Sequence, residues 1–191
     1  MHQHRQHSVL QLDIQGTPQR WLTVNEAALH YATGDVAWTA GDGPLAELRG
    51  GVNVASGRQS RLEIHPIIAL KGASRINLFE VVPTVTKLGI ALRDRMTCAY
   101  CGEVFPFKVL QAEHIVPESR GGPWSWSNIT SSCPPCNTRK RNRTPEEAGM
   151  PLLFLPYVPS RFEAFLLQGR VIRADVHEWL ASRLPKGSRL S

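Results

Sequence analysis

Residues 98–122 read CAYCGEVFPFKVLQAEHIVPESRGG, and they decide how the rest of the chain is understood. A cysteine pair, Cys98 and Cys101, opens the stretch. Farther on, a carboxylate and an imidazole, Glu113 and His114, stand side by side in the β-like run VLQAEHIVP. Adjacent residues on a regular strand point to opposite faces. The two can serve one site only if the strand ends or twists there, or if a substrate group lies between them. Pro117 supports a strand ending.

A second pair, Cys133 and Cys136, repeats the CxxC spacing. Two intervening residues let both thiolates of a pair reach one tetrahedral ion while backbone amides turn in around the sulfurs. Four cysteines in this arrangement predict one zinc ion. A set of four thiolates has no open position, so the ion is expected to be structural and to close the two ends of the intervening segment. Such a site contributes on the order of 10 kcal/mol to folding. Within the segment the expected order is strand, glycine loop ESRGG, a second strand or turn at SWSNI, and a helix opened by Pro135. Asn137, Lys140 and Arg141 are expected on one face of that helix by their i, i+3, i+4 spacing.

These residues resemble the HNH endonucleases, in the branch that carries two zinc-binding CxxC pairs. The likeness rests on EHIVPESRGG, WSN and CPPCNTRKRNRTPEEAGM and covers about residues 92–150. It implies a ββα-metal module, a β-hairpin packed on a helix around one divalent cation, which cuts DNA to leave 5′-phosphate and 3′-hydroxyl ends. It further implies that His114 is the general base, that Glu113 and Asn137 hold the catalytic cation, and that Asn128 keeps the hairpin loop in shape. The family more often has aspartate at the Glu113 position and, in other branches, histidine at Asn137. Oxygen ligands suit magnesium or manganese, and thiolates suit zinc. A neutral imidazole with a pKa near 6.5 can accept a proton from water at neutral pH.

The surroundings agree with a polyanionic partner. Of 191 residues, 22 are lysine or arginine and 16 are acidic, a net charge of +6. Arg120 in the glycine loop, and Arg139, Lys140 and Arg141 on the helix, are the expected phosphate contacts, so double-stranded DNA is the expected partner. A catalytically silent zinc module that only binds nucleic acid is the alternative. Trp124 and Trp126 are expected to cover the zinc module, and Gly121 and Gly122 to bend the loop.

Outward from this segment the chain is plainer. Residues 1–83 are expected to be a β-rich accessory region, with strands around VAWTA, RLEIHPIIAL and RINLFEVVP and one helix at VNEAALHYA. His30 and His65 are isolated and are taken as structural. A helix capped by Thr84 is expected over VTKLGIALR. The nuclease module is assigned to 84–150, and 151–191 to a helical extension with caps at Ser160 and Asp175 and an apolar set that includes Trp179. The TPEEAG segment has the capping pattern of a short helix. No apolar run approaches the roughly 18 residues that span a bilayer, and the first residues lack a signal core. A cytoplasmic setting is therefore expected, where cysteines bind metal more often than they pair. The fold class expected overall is α+β.

Overall fold

The computed structural model describes residues 8–72 and 81–190. The chain is α+β and divides into two compact units, residues 1–78 with 171–182, and residues 79–170 with 183–191. The C-terminal segment is thus shared between them. Of the expected strand RINLFEVVP, residues 75–80 lie outside the described residues, and 81–83 are not strand.

The first unit is built on a mixed sheet. Strands β1 (Val9–Leu12), β2 (Pro18–Leu22), β3 (Val36–Ala40) and β6 (Ile67–Leu70) are ordered β2-β1-β6-β3. β1 runs parallel to β6 and antiparallel to β2. Helix α1 (Val24–Ala32) starts at a Thr23–Glu26 capping box. Strands β4 (Ala46–Val52) and β5 (Gln59–Ile64) form a separate hairpin. Val9, Leu22, Ala27, Ile64 and Ile68 make the shared core of sheet, helix and hairpin. Helix α6 (Ala174–Ala181) also belongs here. Its Asp175 is not the cap the sequence suggests, because the N-cap is Arg173 and no side chain caps the helix. Asp175 instead accepts the Asp42 amide (2.8 Å), while Arg173 donates to the Asp42 carbonyl (3.0 Å). Gly41 makes this approach feasible, since a Cβ there would lie 2.4 Å from Pro66 and 2.8 Å from the Asp175 carboxylate.

The second unit carries the site. Helix α2 (Lys87–Arg93) begins two residues later than expected: Thr86, not Thr84, caps it by accepting the Gly89 amide. Strands β7 (Gln111–His114) and β8 (Ile129–Ser132) pair antiparallel, with Glu113 opposite Thr130 and His114 opposite Ile129. Helix α3 (Pro134–Lys140) follows directly from β8, and two prolines fix its first turn. Helix α4 (Pro145–Ala148) has the expected Thr144–Glu147 box and a left-handed Gly149 stop. Helix α5 (Arg161–Leu166) has the expected Ser160–Glu163 box.

Packing joins these pieces around Ile90, Trp126, Ile129 and Leu167. A buried ion pair crosses the same region. Arg93 and Asp94 are both fully buried and bonded to each other (2.8 Å). Arg93 also donates to the carbonyls of Trp126, Ile129 (2.8 Å) and Tyr157 (3.3 Å). Asp94 accepts the Ser131 amide (2.7 Å) and the Thr130 hydroxyl (3.3 Å). One pair therefore fixes α2, the WSN loop and β8 together. Removing one partner of a buried pair leaves an uncompensated charge. Arg93→Met should cost about 3–5 kcal/mol in urea unfolding, the usual loss for breaking such a pair.

Candidate metal centre and nuclease site

The first cysteine knuckle is shaped by backbone bonds. The Cys98 amide donates to the Glu103 carbonyl (2.9 Å), and the Gly102 amide donates to the Cys98 carbonyl (3.0 Å). The Ala99 amide joins the knuckle to β8 through the Ser131 carbonyl (2.8 Å). The second knuckle is the start of α3, where Cys133 is the N-cap residue. All four sulfurs lie within 4.8 Å of one another, and those of Cys101 and Cys133 are 3.9 Å apart. Zinc–sulfur bonds of about 2.3 Å place tetrahedral sulfurs roughly 3.8 Å apart, so the donor set fits one zinc ion. Electrostatics agree. Burial pushes the Cys98 thiol up, but the amides of Cys101, Cys133 and Tyr100 outweigh it and bring the pKa down to about 7. Burial and the neighbouring sulfurs push Cys101 and Cys136 up. Such crowded thiols favour a cation among them.

The residues between the knuckles come together as follows. Gln111 and Glu113 share one face of β7, and that face meets α3. The Asn137 side-chain amide donates to Gln111 Oε1 (2.7 Å), and Lys140 Nζ donates to Glu113 Oε1 (2.8 Å). His114 turns to the other side, where its ring stands edge-on to Trp124 at 5.6 Å. The alternation anticipated from the sequence is therefore real. The strand also ends at His114, whose carbonyl accepts the second bond of Lys140 Nζ (2.7 Å).

Asn128 ties the loop that follows. Its carbonyl accepts the Ile115 amide (2.8 Å), and its side-chain oxygen accepts the Val116 amide (2.9 Å). Its side-chain amide donates to the carbonyls of Val116 (3.1 Å) and Pro123 (3.0 Å). Gly122 sits beneath this lattice, where a Cβ would lie 1.8 Å from the Val116 carbonyl oxygen. Gly121 adopts a left-handed turn at φ 81°.

Four expectations need correction. Lys140 is fully buried against Glu113 and His114, so it is not a phosphate contact. Arg141 does not share a helical face with Asn137, because it lies past the end of α3 at φ 55°, ψ −146°. Trp126 is buried with Ile90 and Ile129, its indole nitrogen donating to the Pro83 carbonyl (2.7 Å), so it belongs to the core. Trp124 is half-exposed beside His114, with its nitrogen on the Val85 carbonyl (3.3 Å).

The other cations differ in how committed they are. Arg139 and Arg141 are exposed. Arg120 is exposed and donates from Nη1 to both carboxylate oxygens of Glu147 (2.8 and 2.7 Å), which holds that carboxyl below its usual range. Arg143 closes the end of α3, donating to the carbonyls of Arg139 (2.7 Å) and Lys140 (3.2 Å). Tyr100 went unnoticed in the sequence. Its buried hydroxyl has no hydrogen-bond partner among the described residues, and burial, then the Glu113 charge, hold the phenol neutral.

Residues 98–153 match the sequence model of a family described as HNH endonuclease. The matched segment is closed in space as well, because the Leu153 amide donates to the Ala99 carbonyl (2.8 Å). A search of curated proteins returned no match. The segment is similar to a nuclease domain, and its four cysteines are positioned to form a zinc site.

Elemental analysis of protein purified without added zinc should find one zinc per chain. Acid should strip it, since thiols must lose protons to bind. Cys133→Ser should empty the site and thereby unfold the module, because serine cannot replace the thiolate although it suits the start of α3.

Proposed function

We propose that the chain is a metal-dependent HNH endonuclease that hydrolyses DNA phosphodiester bonds and leaves 5′-phosphate and 3′-hydroxyl ends. The observation that carries this reading is the β7–β8–α3 unit between two cysteine knuckles, with Glu113 and Asn137 on its facing surfaces, inside the segment that matches the family.

Each residue has a role that its position supports. His114 ends β7 half-exposed, where its ring can take a proton from an attacking water. Trp124 packs against that ring and limits its rotation. Glu113 and Asn137 offer one carboxylate and one amide oxygen, a donor set that fits a hard cation with remaining positions filled by water and phosphate. Magnesium or manganese held there would supply positive charge to the scissile phosphate and the departing oxygen. Asn128 holds the His114 loop through its bonds to Val116 and Pro123. Arg139 and Arg141 are the exposed cations past the site, and Arg120 can exchange Glu147 for a phosphate, since an exposed pair stabilises little. These contacts would position duplex DNA without reading its sequence.

A specific observation favours a second reading. The Glu113 carboxylate is already neutralised by Lys140, as it would be in a module that binds nucleic acid without cutting it.

His114→Ala distinguishes the two. It should keep fold, zinc and DNA affinity but lower the cleavage rate by roughly 10²–10⁴, the usual contribution of a general base. Plasmid nicking with magnesium, manganese or chelator reads this directly. No nicking by the wild type under either metal would favour the silent module, and equal nicking by the variant would remove His114 from the mechanism.

Arg141 generates an opposite-sign expectation. Its backbone sits in a region that glycine alone enters freely, at a cost of order 1–3 kcal/mol. Arg141→Gly should therefore raise the melting temperature. If the side chain meets a phosphate, the same change should flatten the log–log salt dependence of DNA binding by about 0.9.

A further inference from the structure

Lys140 is the buried cation nearest the expected catalytic ion. Its side chain is 0% exposed, and that of Glu113 is 13% exposed. The ammonium reaches this position from the last turn of α3, one turn beyond Asn137. It makes one bond to Glu113 Oε1 and one to the His114 carbonyl. The second bond anchors it independently of the carboxylate, so the charge stays in place when Glu113 acquires another partner.

We propose that Lys140 is a positioning residue that makes cation loading depend on substrate. The proposal rests on the reading of Glu113 as a cation ligand. Without nucleic acid, the facing residues Glu113, Asn137 and Lys140 sum to zero charge, which is a poor host for a divalent ion. A phosphodiester adds a negative charge and an oxygen ligand, and the ion then binds between phosphate and protein. Lys140 meanwhile keeps Oε1, leaving the second carboxylate oxygen for the ion. The protein alone would thus stay largely free of the catalytic ion, and metal and DNA would bind with positive coupling.

Two effects of removing Lys140 oppose each other, and their sizes decide the sign. Loss of orientation at Glu113 weakens metal binding by about an order of magnitude at most, the cost of ordering one side chain. Loss of repulsion strengthens it. A unit charge about 5 Å from a divalent ion weakens binding by more than tenfold even with the full screening of water, and by far more at protein-like dielectric. Repulsion wins, so removal tightens metal binding. A lysine that served packing alone would give the reverse.

The test uses zinc-loaded, full-length His114→Ala protein, whose slowed cleavage leaves the duplex intact during the measurement, and counts free manganese by electron paramagnetic resonance. Manganese should bind the parent weakly and should tighten at least tenfold with a short duplex. K140Q should bind manganese at least tenfold more tightly without DNA and gain less from the duplex. K140R keeps the charge and, where circular dichroism shows it folded, should bind manganese as weakly as the parent. K140M keeps the buried stem and repeats the comparison if K140Q fails to fold, with circular dichroism as the folding check. Unchanged or weaker manganese binding in K140Q and K140M, with binding still lost in E113Q, would overturn the substrate-dependence proposal alone. Manganese affinity untouched by E113Q would instead remove Glu113 from the ligand set, and the proposal with it.

Discussion

The second unit depends on the buried Arg93–Asp94 pair. The pair is costly to bury, and it is tolerated because every polar atom finds a partner. Arg93 spends its donors on three carbonyls, and Asp94 accepts from two groups on β8. The result is a fixed β8. The register of β8 then sets that of β7, because Glu113 faces Thr130, whose hydroxyl bonds Asp94. A one-residue slip would send Glu113 toward Trp124 and His114 toward α3, exchanging the two chemistries. The charge pair and the first cysteine knuckle therefore act on the same residue of β8, because Asp94 accepts the Ser131 amide and Ala99 donates to the Ser131 carbonyl. The second knuckle adds to this at the same end of the strand, where Cys133 follows β8 directly.

Much of this was legible in the sequence, and the reason differs by element. The cysteine spacing specified the metal centre, since few other arrangements need two CxxC pairs. The capping boxes at Thr144 and Ser160 were readable because each depends on local chemistry within a few residues, whereas the hairpin and the role of Asn128 came from the family resemblance, since their partners lie 12 or more residues apart. What stayed hidden was long-range. Arg93 and Asp94 look like the solvated end of an amphipathic helix, and only their carbonyl and amide partners, more than thirty residues away, show otherwise. Lys140 misled for a related reason. In a run of four basic residues among five it resembles its exposed neighbours, although its i+3 distance from Asn137 already placed both on the face that meets β7. Arg141 sat at a helix exit with no glycine to announce the turn.

That exit shows how the basic segment is organised. Four consecutive roles are assigned to neighbouring residues with the same formal charge. Arg139 is exposed, Lys140 is buried on Glu113, Arg141 is strained and exposed, and Arg143 caps the helix end. Charge alone distinguishes none of them. Geometry does, because a helix end exposes carbonyls that a nearby guanidinium can satisfy, and a buried carboxylate needs a compact cation with a flexible stem. Lysine fits that second need better than arginine, whose planar fork would require more acceptors than Glu113 Oε1 and the His114 carbonyl provide.

The Glu113 position completes this logic. A glutamate reaches one methylene farther than the aspartate more common in the family. In this chain that reach ends on Lys140, on the α3 side of the hairpin, while His114 occupies the Trp124 side. The carboxylate and the imidazole are thus held by separate partners on opposite faces of β7. Under the proposed function, a phosphate engages both at the strand's end, where the pleat stops and the Asn128-bonded loop begins. The rigid loop is consequently part of the site's geometry. On the proposed reading, it determines how far past β7 a substrate group must sit to reach the imidazole on one side and the Glu113 and Asn137 oxygens on the other.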